Sequence, residues 1–202
     1  MTQPVPDDAP PATLPNLLRA GLDIVFVGIN PSLYSVARGH YFARRANRFW
    51  PAFSRSHLSA PIRRATGIEE LAAEHDALLL EHGIGFTDVV KRPTANASGL
   101  APAEFAAAAP RLRARLERYR PRIACFQGLT GYRPFLRATD PAAPPPALGL
   151  QAPRIGATHL FVVPSPSPAN AHVTPAEQTG WYDRLAECLA ALRRADRDDP
   201  DQ

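Results

Sequence analysis

The sequence predicts an α/β fold, a three-layer α/β/α sandwich with a mostly parallel central sheet. Short apolar runs typical of buried strands, such as 23–28 (DIVFVG) and 122–127 (RIACFQ), alternate with longer segments of helical periodicity. Strands that alternate with helices favour a parallel sheet covered by helices. Two irregular loops, 28–42 and 164–172, directly follow predicted strands. Because ligands bind at the carboxyl ends of parallel strands, these loops are the first candidates for a functional site.

The predicted elements follow from local patterns along the chain. In order they are a strand at 23–28, helices at 47–57 and 67–82, an extended segment at 83–90, a helix at 102–119, a strand at 122–127, a helix at 129–137, one or two strands within 155–163 and a helix at 175–194. The first strand is a continuous apolar run, and Asn47 is a suitable N-cap for the helix after it. Residues 67–82 carry apolar side chains at helical spacing, and Gly83 ends that helix before the extended segment.

The later elements rest on composition and periodicity. Residues 102–119 are rich in Ala, Arg and Leu, which favours a helix whose arginines form a solvated face: Arg111, Arg113, Arg115 and Arg118. Apolar runs predict the strands at 122–127 and within 155–163, with a Pro-rich loop at 140–153 between them. The last helix carries an apolar stripe that is expected to pack in the core: Trp181, Leu185, Leu189 and Leu192.

Length and composition indicate one domain with short tails. The chain has 202 residues, of which 45% are hydrophobic, and this suffices for one sizeable core. Residues 1–15 are rich in Pro, and residues 196–202 are acidic and polar. Both tails are therefore predicted to be disordered, with a single domain over 16–195.

Charge, hydropathy and cysteine usage narrow the function classes. The formal net charge of +4 permits an anionic partner such as nucleic acid. No apolar run approaches the ~20 residues of a membrane helix, and the N-terminus lacks a signal-peptide pattern, so we expect a cytoplasmic protein with no membrane partner. Cys125 and Cys188 are far apart and indicate core positions, and the histidines show no metal-ligand spacing. We therefore expect no metal and no cofactor.

The turn after the first strand, G-I-N-P at 28–31, presents an asparagine at a strand tip. Pro31 has a fixed φ and holds Asn30 in an extended conformation. Taken alone, these residues are more typical of a turn asparagine that bonds its own backbone than of a catalytic group.

The wider pattern resembles a known family. G-I-N-P is followed by G-H-Y-F-A at 39–43 and N-R-F-W at 47–50, then by G-F-T-D-V-V-K-R-P-T at 85–94 and V-P-S-P-S at 163–167. In order and spacing, from about residue 20 to 194, these motifs resemble the mismatch-specific uracil/thymine-DNA glycosylases, a branch of the uracil-DNA glycosylase superfamily. The resemblance implies a uracil-DNA glycosylase-like fold, a monomer and a bacterial-type protein acting at the nucleoid.

The resemblance also implies an activity. It is that of a monofunctional DNA glycosylase, which flips uracil out of DNA, hydrolyses its N-glycosidic bond and initiates base-excision repair. The implied partner is double-stranded DNA that contains uracil or a damaged pyrimidine. G:U mismatches are the expected substrate, and uracil opposite adenine, single-stranded uracil, thymine and etheno-cytosine are further candidates.

Several residues inherit roles from the family motifs. Asn30 matches the catalytic asparagine, which positions a water because an amide cannot take a proton at neutral pH. Phe42 falls where the family stacks an aromatic ring on the flipped base. Backbone groups near Ile29 and Phe42 are expected to read the pyrimidine edge, and Ser35 is a further substrate-binding candidate. Ser165 and Ser167 are expected to bind the phosphates that flank the flipped nucleotide.

Asp88 is a departure from the family, which has varied polar residues at this position. A carboxylate here could orient or activate the water, or stabilise the cationic sugar. The alternative is a turn or capping aspartate beside Thr87. Lys91 lies close in sequence but outside any motif position that would supply a nucleophile, so no lyase step is expected.

The expected DNA contacts lie on two loops. The family inserts a wedge from the second loop, and the corresponding residues here are Pro168, Ala169 and Asn170. Because the small Ala169 side chain fills little of the space that a flipped base leaves, we expect a weakened preference for guanine opposite the lesion. On the first loop, His40 and Arg44 are DNA-binding candidates, although a lone histidine is more often structural. The arginines between its aromatic residues suit either a surface that follows the DNA backbone or a solvated face: Arg38, Arg44, Arg45 and Arg48.

Two other function classes compete with the glycosylase. One is a non-catalytic DNA-binding module that keeps the fold, which a uracil-release assay would distinguish. The other is a small-molecule hydrolase or nucleotide-binding protein, which would need a Gly-rich phosphate loop that the sequence does not contain.

Overall fold

The computed structural model describes residues 13–198, which form one five-stranded sheet with helices around it. The strands are β1 (Ile24–Gly28), β2 (Ile84–Asp88), β3 (Ile123–Gln127), β4 (Gly149–Ile155) and β5 (Thr158–Val163). The helices are α1 (Leu33–Arg38), α2 (Phe49–Arg55), α3 (Ala60–Thr66), α4 (Pro102–Tyr119), α5 (Leu129–Thr139) and α6 (Pro175–Asp198). None of these helices is long and apolar enough to cross a membrane.

The sheet is mostly parallel, which confirms the predicted fold class. Its strand order is β2-β1-β3-β5-β4, and only the β4–β5 pair is antiparallel. After β1 the chain adds β2 on one side, and β3 then joins β1 on the other side. The strand order therefore reverses beside β1, where loops separate and leave room for a ligand at the carboxyl ends of the strands.

Each face of the sheet is covered by its own apolar core. On one face, rings from β1, β2, α2 and α6 form an aromatic cluster: Phe26, Phe49, Phe53, Phe86 and Tyr182. On the other face, β1 and β3 pack against α4 and α5 through a second cluster that includes Val25, Val27, Leu112, Phe126 and Phe135. All five residues of β1 are buried, as expected for a central parallel strand.

The predicted helix at 67–82 is wrong. Helix α3 precedes this segment and ends at Gly67, whose φ of 71° favours glycine. The segment itself holds only two single 3₁₀ turns, Ala73–His75 and Leu78–Leu80. Long-range contacts set its path, since the buried Asp76 carboxylate accepts a hydrogen bond from the Tyr41 backbone.

Two predicted loops contain regular structure. Within 28–42, Leu33–Arg38 forms α1, because Ser32 Oγ accepts from the Ser35 backbone N–H at 3.0 Å and Gly39 ends the helix at a φ of 76°. Within 140–153, residues 149–153 belong to β4. This strand pairs with β5 at the sheet edge, which apolar periodicity alone does not indicate.

The described parts of the two predicted tails differ. Leu14 is buried in the core that contains the aromatic cluster, whereas residues 196–198 continue α6 and are exposed. Residues 1–12 and 199–202 lie outside the described residues. Both cysteines are free thiols; Cys125 is buried and Cys188 is partly buried.

Candidate active site

A cavity of about 520 Å³ opens at the carboxyl ends of β1, β2 and β3. The segments after β1, β2 and β5 form most of its wall. Nearly all the predicted site residues line it: Ile29, Asn30, Ser35, Phe42, Arg44, Asp88, Ser165, Ser167, Pro168 and Ala169. His40 and Asn170 are the two predicted residues that do not.

Asn30 is held in place by the segment that follows β2. Its Nδ2 donates to the Arg92 carbonyl at 2.9 Å and to Thr94 Oγ1 at 2.7 Å. The Thr94 hydroxyl in turn donates to the Asn96 carbonyl at 2.7 Å. A local turn asparagine would bond to its own stretch of backbone. Asn30 Nδ2 does donate to the Pro31 carbonyl, but at 3.2 Å this bond is longer than the two long-range bonds. Because Nδ2 is committed to the protein, Oδ1 is the atom available to accept a hydrogen bond from a water.

Phe42 is a partly buried aromatic ring at the cavity wall. Its ring stacks on Phe49, with the centroids 4.4 Å apart and the planes at 22°. Its backbone has a φ of 54°, a left-handed conformation that is uncommon for a bulky residue and costs about 1–3 kcal/mol. The surrounding fold thus holds this ring in place with Phe49 behind it.

Asp88 ends β2 and lies on the floor of the cavity, with only 2% of its surface exposed. Its Oδ1 lies over Gly28: a Cβ at that glycine would be 2.5 Å from Asp88 Oδ1 and 3.7 Å from Phe42 Cε1. Glycine at this position therefore lets the carboxyl group approach the edge of the Phe42 ring. Its Oδ2 lies 3.3 Å from Lys91 Nζ.

The electrostatics around Asp88 are those of a buried cluster. Burial raises the pKa of Asp88, and the nearby Lys91 and Arg115 cations partly oppose that rise. Burial lowers the pKa of Lys91 and raises the pKa of Tyr41, whose Oη accepts from Lys91 Nζ at 3.1 Å. Lys91 supports Asp88 and Tyr41 and is not among the residues that line the cavity.

Arg115 does not belong to the solvated face predicted for α4. Its guanidinium donates to Thr87 Oγ1 at 3.1 Å, to Asn16 Oδ1 at 2.9 Å and to the Asp88 carbonyl at 3.3 Å. The helical pattern could not show this, because α4 places Arg115 against the end of β2. Among the other three arginines, Arg111 and Arg118 are exposed.

Arg48 braces the loop that follows β5. Its Nη2 donates to the carbonyls of Ser167 and Asn170, at 2.9 Å and 2.6 Å, and its backbone N–H donates to the Pro166 carbonyl at 2.9 Å. The sequence predicts Arg48 either on a surface that follows the DNA backbone or on a solvated face. In the structure, Arg48 instead bridges the start of α2 and the loop 164–172.

The loop 164–172 also bonds to itself. Ser165 Oγ and Ser167 Oγ accept from the backbone N–H groups of Ser167 and Ala169, at 3.4 Å and 3.3 Å. Their hydroxyl protons remain available as donors. Asn170 lies outside the cavity lining and donates from Nδ2 to the Ser165 carbonyl at 3.0 Å, so its side chain shapes the loop.

His40 lies on the first loop, outside the cavity lining. Its Nδ1 is 3.1 Å from Oδ1 of the buried Asp76. The same carboxylate holds the Tyr41 backbone. The structure thus gives His40 a bracing contact behind the loop that carries Phe42.

Several parts of the cavity wall are not predicted from the sequence. Thr94 belongs to the segment at 85–94, but the motif gives it no role, and the loop 95–98 lies beyond that motif. Gln127 ends β3 as a polar residue after a buried apolar run. A polar residue at the carboxyl end of a predicted parallel strand was a usable signal for it.

Comparison with known proteins agrees with the fold and identifies the family. A solved structure with a similar fold is the solution NMR structure of a "putative Uracil DNA glycosylase" from Methanosarcina acetivorans, with a TM-score of 0.53 and 22% sequence identity over 88% of this chain and 97% of that chain. The sequence model of the Uracil DNA glycosylase superfamily matches residues 15–190. This match spans most of the chain, so the protein belongs to the Uracil DNA glycosylase superfamily, a group of glycosylase hydrolases.

Proposed function

We propose that this protein is a monofunctional uracil-DNA glycosylase of the mismatch-specific uracil/thymine branch, which acts as a monomer on double-stranded DNA. It would hydrolyse the N-glycosidic bond of a flipped uracil and so initiate base-excision repair. The observation that carries the proposal is the meeting of Asn30, Phe42 and Asp88 in one cavity at the carboxyl ends of adjacent strands.

The cavity supplies a stacking surface for the flipped base. Taking a base out of the duplex costs a few kcal/mol, and stacking it on an aromatic side chain returns about 1–3 kcal/mol. Phe42 suits this role because Phe49 supports it from behind and its ring remains partly exposed to the cavity. The aromatic pair is thus a rigid surface whose position is set before DNA binds.

Asn30 and Asp88 have different roles toward the attacking water. Asn30 Oδ1 accepts a hydrogen bond and orients the water, while an ionised Asp88 can take its proton, which an amide cannot. The water oxygen bonds to C1′, the C1′–N bond breaks, and its electron pair leaves with the base as an anion. Lys91 is directed to Asp88 and Tyr41, which supports water as the nucleophile and a reaction without a lyase step.

The wedge region supports a broad substrate range. Ala169 is exposed at the cavity wall and offers only a methyl group to fill the space left by a flipped base. We therefore expect uracil to be removed opposite adenine and from single strands as well as opposite guanine. A panel of duplexes with uracil, thymine or etheno-cytosine opposite guanine or adenine, with single-stranded controls, measures this range, and a large preference for G:U over A:U would contradict it.

The proposal is tested by uracil release from wild type and Asn30→Ala under single-turnover conditions. Loss of the water-positioning amide should slow release by about 100-fold or more. Gln151→Ala, which removes an amide from the distant edge strand β4, should keep the wild-type rate. The second candidate, a non-catalytic DNA-binding module, predicts binding to uracil-containing duplex without release by either protein.

A further inference from the structure

Gln127 lies in the same row of the sheet as Asp88. Gly28 on β1 pairs with Asp88 on β2. On the other side of β1, Val27 pairs with Phe126 on β3, so the next residues of these two strands, Gly28 and Gln127, are also neighbours. Neighbouring strands are about 4.8 Å apart, which puts the two polar residues roughly 10 Å apart across the glycine. Both line the cavity.

The amide of Gln127 has an unused donor. It is only 3% exposed, and its Oε1 accepts from the Tyr182 hydroxyl at 3.0 Å. Its Nε2 donates only to Cys125 Sγ, at 3.6 Å, and sulfur is a weak acceptor. Within residues 13–198 this amide makes no other hydrogen bond, which leaves one N–H without a partner. Buried amide donors normally have partners, so this one points to a ligand.

The protein fixes which end of the amide meets that ligand. Tyr182 is fully buried, and its hydroxyl occupies the Oε1 side of Gln127 from within the core. The Nε2 side is therefore the one left for an acceptor in the cavity. Asp88 Oδ1 and the Phe42 ring border the same space above Gly28.

We propose that Gln127 is a substrate-contacting residue that donates a hydrogen bond from Nε2 to a carbonyl oxygen of the flipped pyrimidine. This inference rests on the proposed function and adds a residue that reads the base. Uracil and thymine carry carbonyl oxygens at both C2 and C4, so an amide donor at the ring edge suits them. An acceptor in its place would repel the same oxygens.

The test is a binding measurement that does not depend on catalysis. Wild type, Gln127→Leu, Gln127→Met and Gln127→Glu are titrated with two duplexes, one carrying 2′-fluoro-2′-deoxyuridine as an uncleaved uracil nucleotide and one carrying a tetrahydrofuran abasic site. The three variants should bind the uracil duplex about tenfold more weakly than wild type, a loss of affinity that corresponds to roughly one hydrogen bond. Their affinity for the abasic duplex should stay within about twofold of wild type, as should that of Gln151→Leu for both duplexes.

Two results would overturn the inference. Equal affinity of the variants and wild type for the uracil duplex would show that Gln127 does not contact the base. Equal weakening on both duplexes would show that it acts on the DNA backbone or on the fold, and a melting temperature for each variant identifies the latter. A wild-type protein that releases no uracil would instead refute the proposed function, while the binding results still decide the role of Gln127.

Discussion

Among single residues, Asp88 is the one that we propose makes the chemistry faster than an asparagine alone would allow. It is buried at the cavity floor, with Oδ1 toward Gly28 and Oδ2 toward Lys91. In our proposal, an ionised carboxylate in this place accepts the proton of a water that Asn30 orients. Asn30 follows β1, and Asp88 ends the neighbouring strand β2. The pH dependence of the rate tests whether the two residues act together.

The pH profile of uracil release should depend on Asp88. Only the ionised form accepts a proton, so the rate should rise with pH through the pKa of Asp88. Since burial raises the pKa of Asp88, the rate should rise at a higher pH than the ordinary aspartate pKa of about 3.9. Asp88→Asn should lower the rate by about 10²–10⁴-fold and remove the acidic limb. Activity within about twofold of wild type would exclude Asp88 from the mechanism.

Lys91→Met provides the matching control for this pH dependence. The Lys91 cation lowers the pKa of Asp88, so its removal should raise that pKa and move the acidic limb to higher pH. The rate on the high-pH plateau should change much less than in Asp88→Asn. Single-turnover rates across the pH range measure both, and an unmoved limb would show that another group titrates.

At the scale of elements, the site depends on contacts between segments far apart in the chain. The loop after β1 carries Asn30, and the segment after β2 orients its amide through Thr94. The start of α2 holds the loop 164–172 through Arg48. These bonds set the spacing of the cavity walls before DNA arrives, which lowers the cost of ordering them on binding.

Arg48→Lys should loosen the loop after β5. A lysine keeps the charge but cannot reproduce the two carbonyl contacts that Arg48 Nη2 makes at their observed geometry. We expect KM for uracil-containing duplex to rise by about tenfold while kcat changes little, since Asn30 and Asp88 lie on other elements. Arg111→Lys, at an exposed position on α4 outside the cavity lining, is the control. A fall in kcat with unchanged KM would contradict this role.

The same scale shows what the sequence could and could not predict. The placement of Asn30 and Phe42 in the site could be predicted because both belong to motifs that resemble those of the family, and Asn30 also follows a strand end, where topology places ligands. The path of 67–82 could not be predicted, because its apolar spacing fits a helix. In the structure, α3 ends at Gly67, and tertiary contacts set the path of the segment that follows. The contacts of Arg48 and Arg115 could not either, because their partners are set by tertiary packing.

For the whole molecule, DNA binding should be electrostatic and salt-dependent. The net charge is +4, and Arg44 is an exposed cation at the cavity wall. If Arg44 contacts a phosphate, Arg44→Ala should reduce the slope of log Kd against log salt by about 0.9. Arg111→Ala removes the same charge from an exposed position on α4 and should leave the slope unchanged. Equal slopes in all three proteins would place Arg44 outside the DNA interface.

As a whole, the fold is proposed to bring one water-positioning amide, one stacking ring and one carboxylate to a flipped uracil. The decisive measurement is uracil release from a G:U duplex by the wild-type protein, with the product strand analysed before and after alkaline treatment. A monofunctional glycosylase should yield free uracil and an abasic strand that stays intact until alkali cleaves it. Tight binding of the duplex with no free uracil would refute the glycosylase activity, and strand cleavage before alkali would refute the monofunctional mechanism.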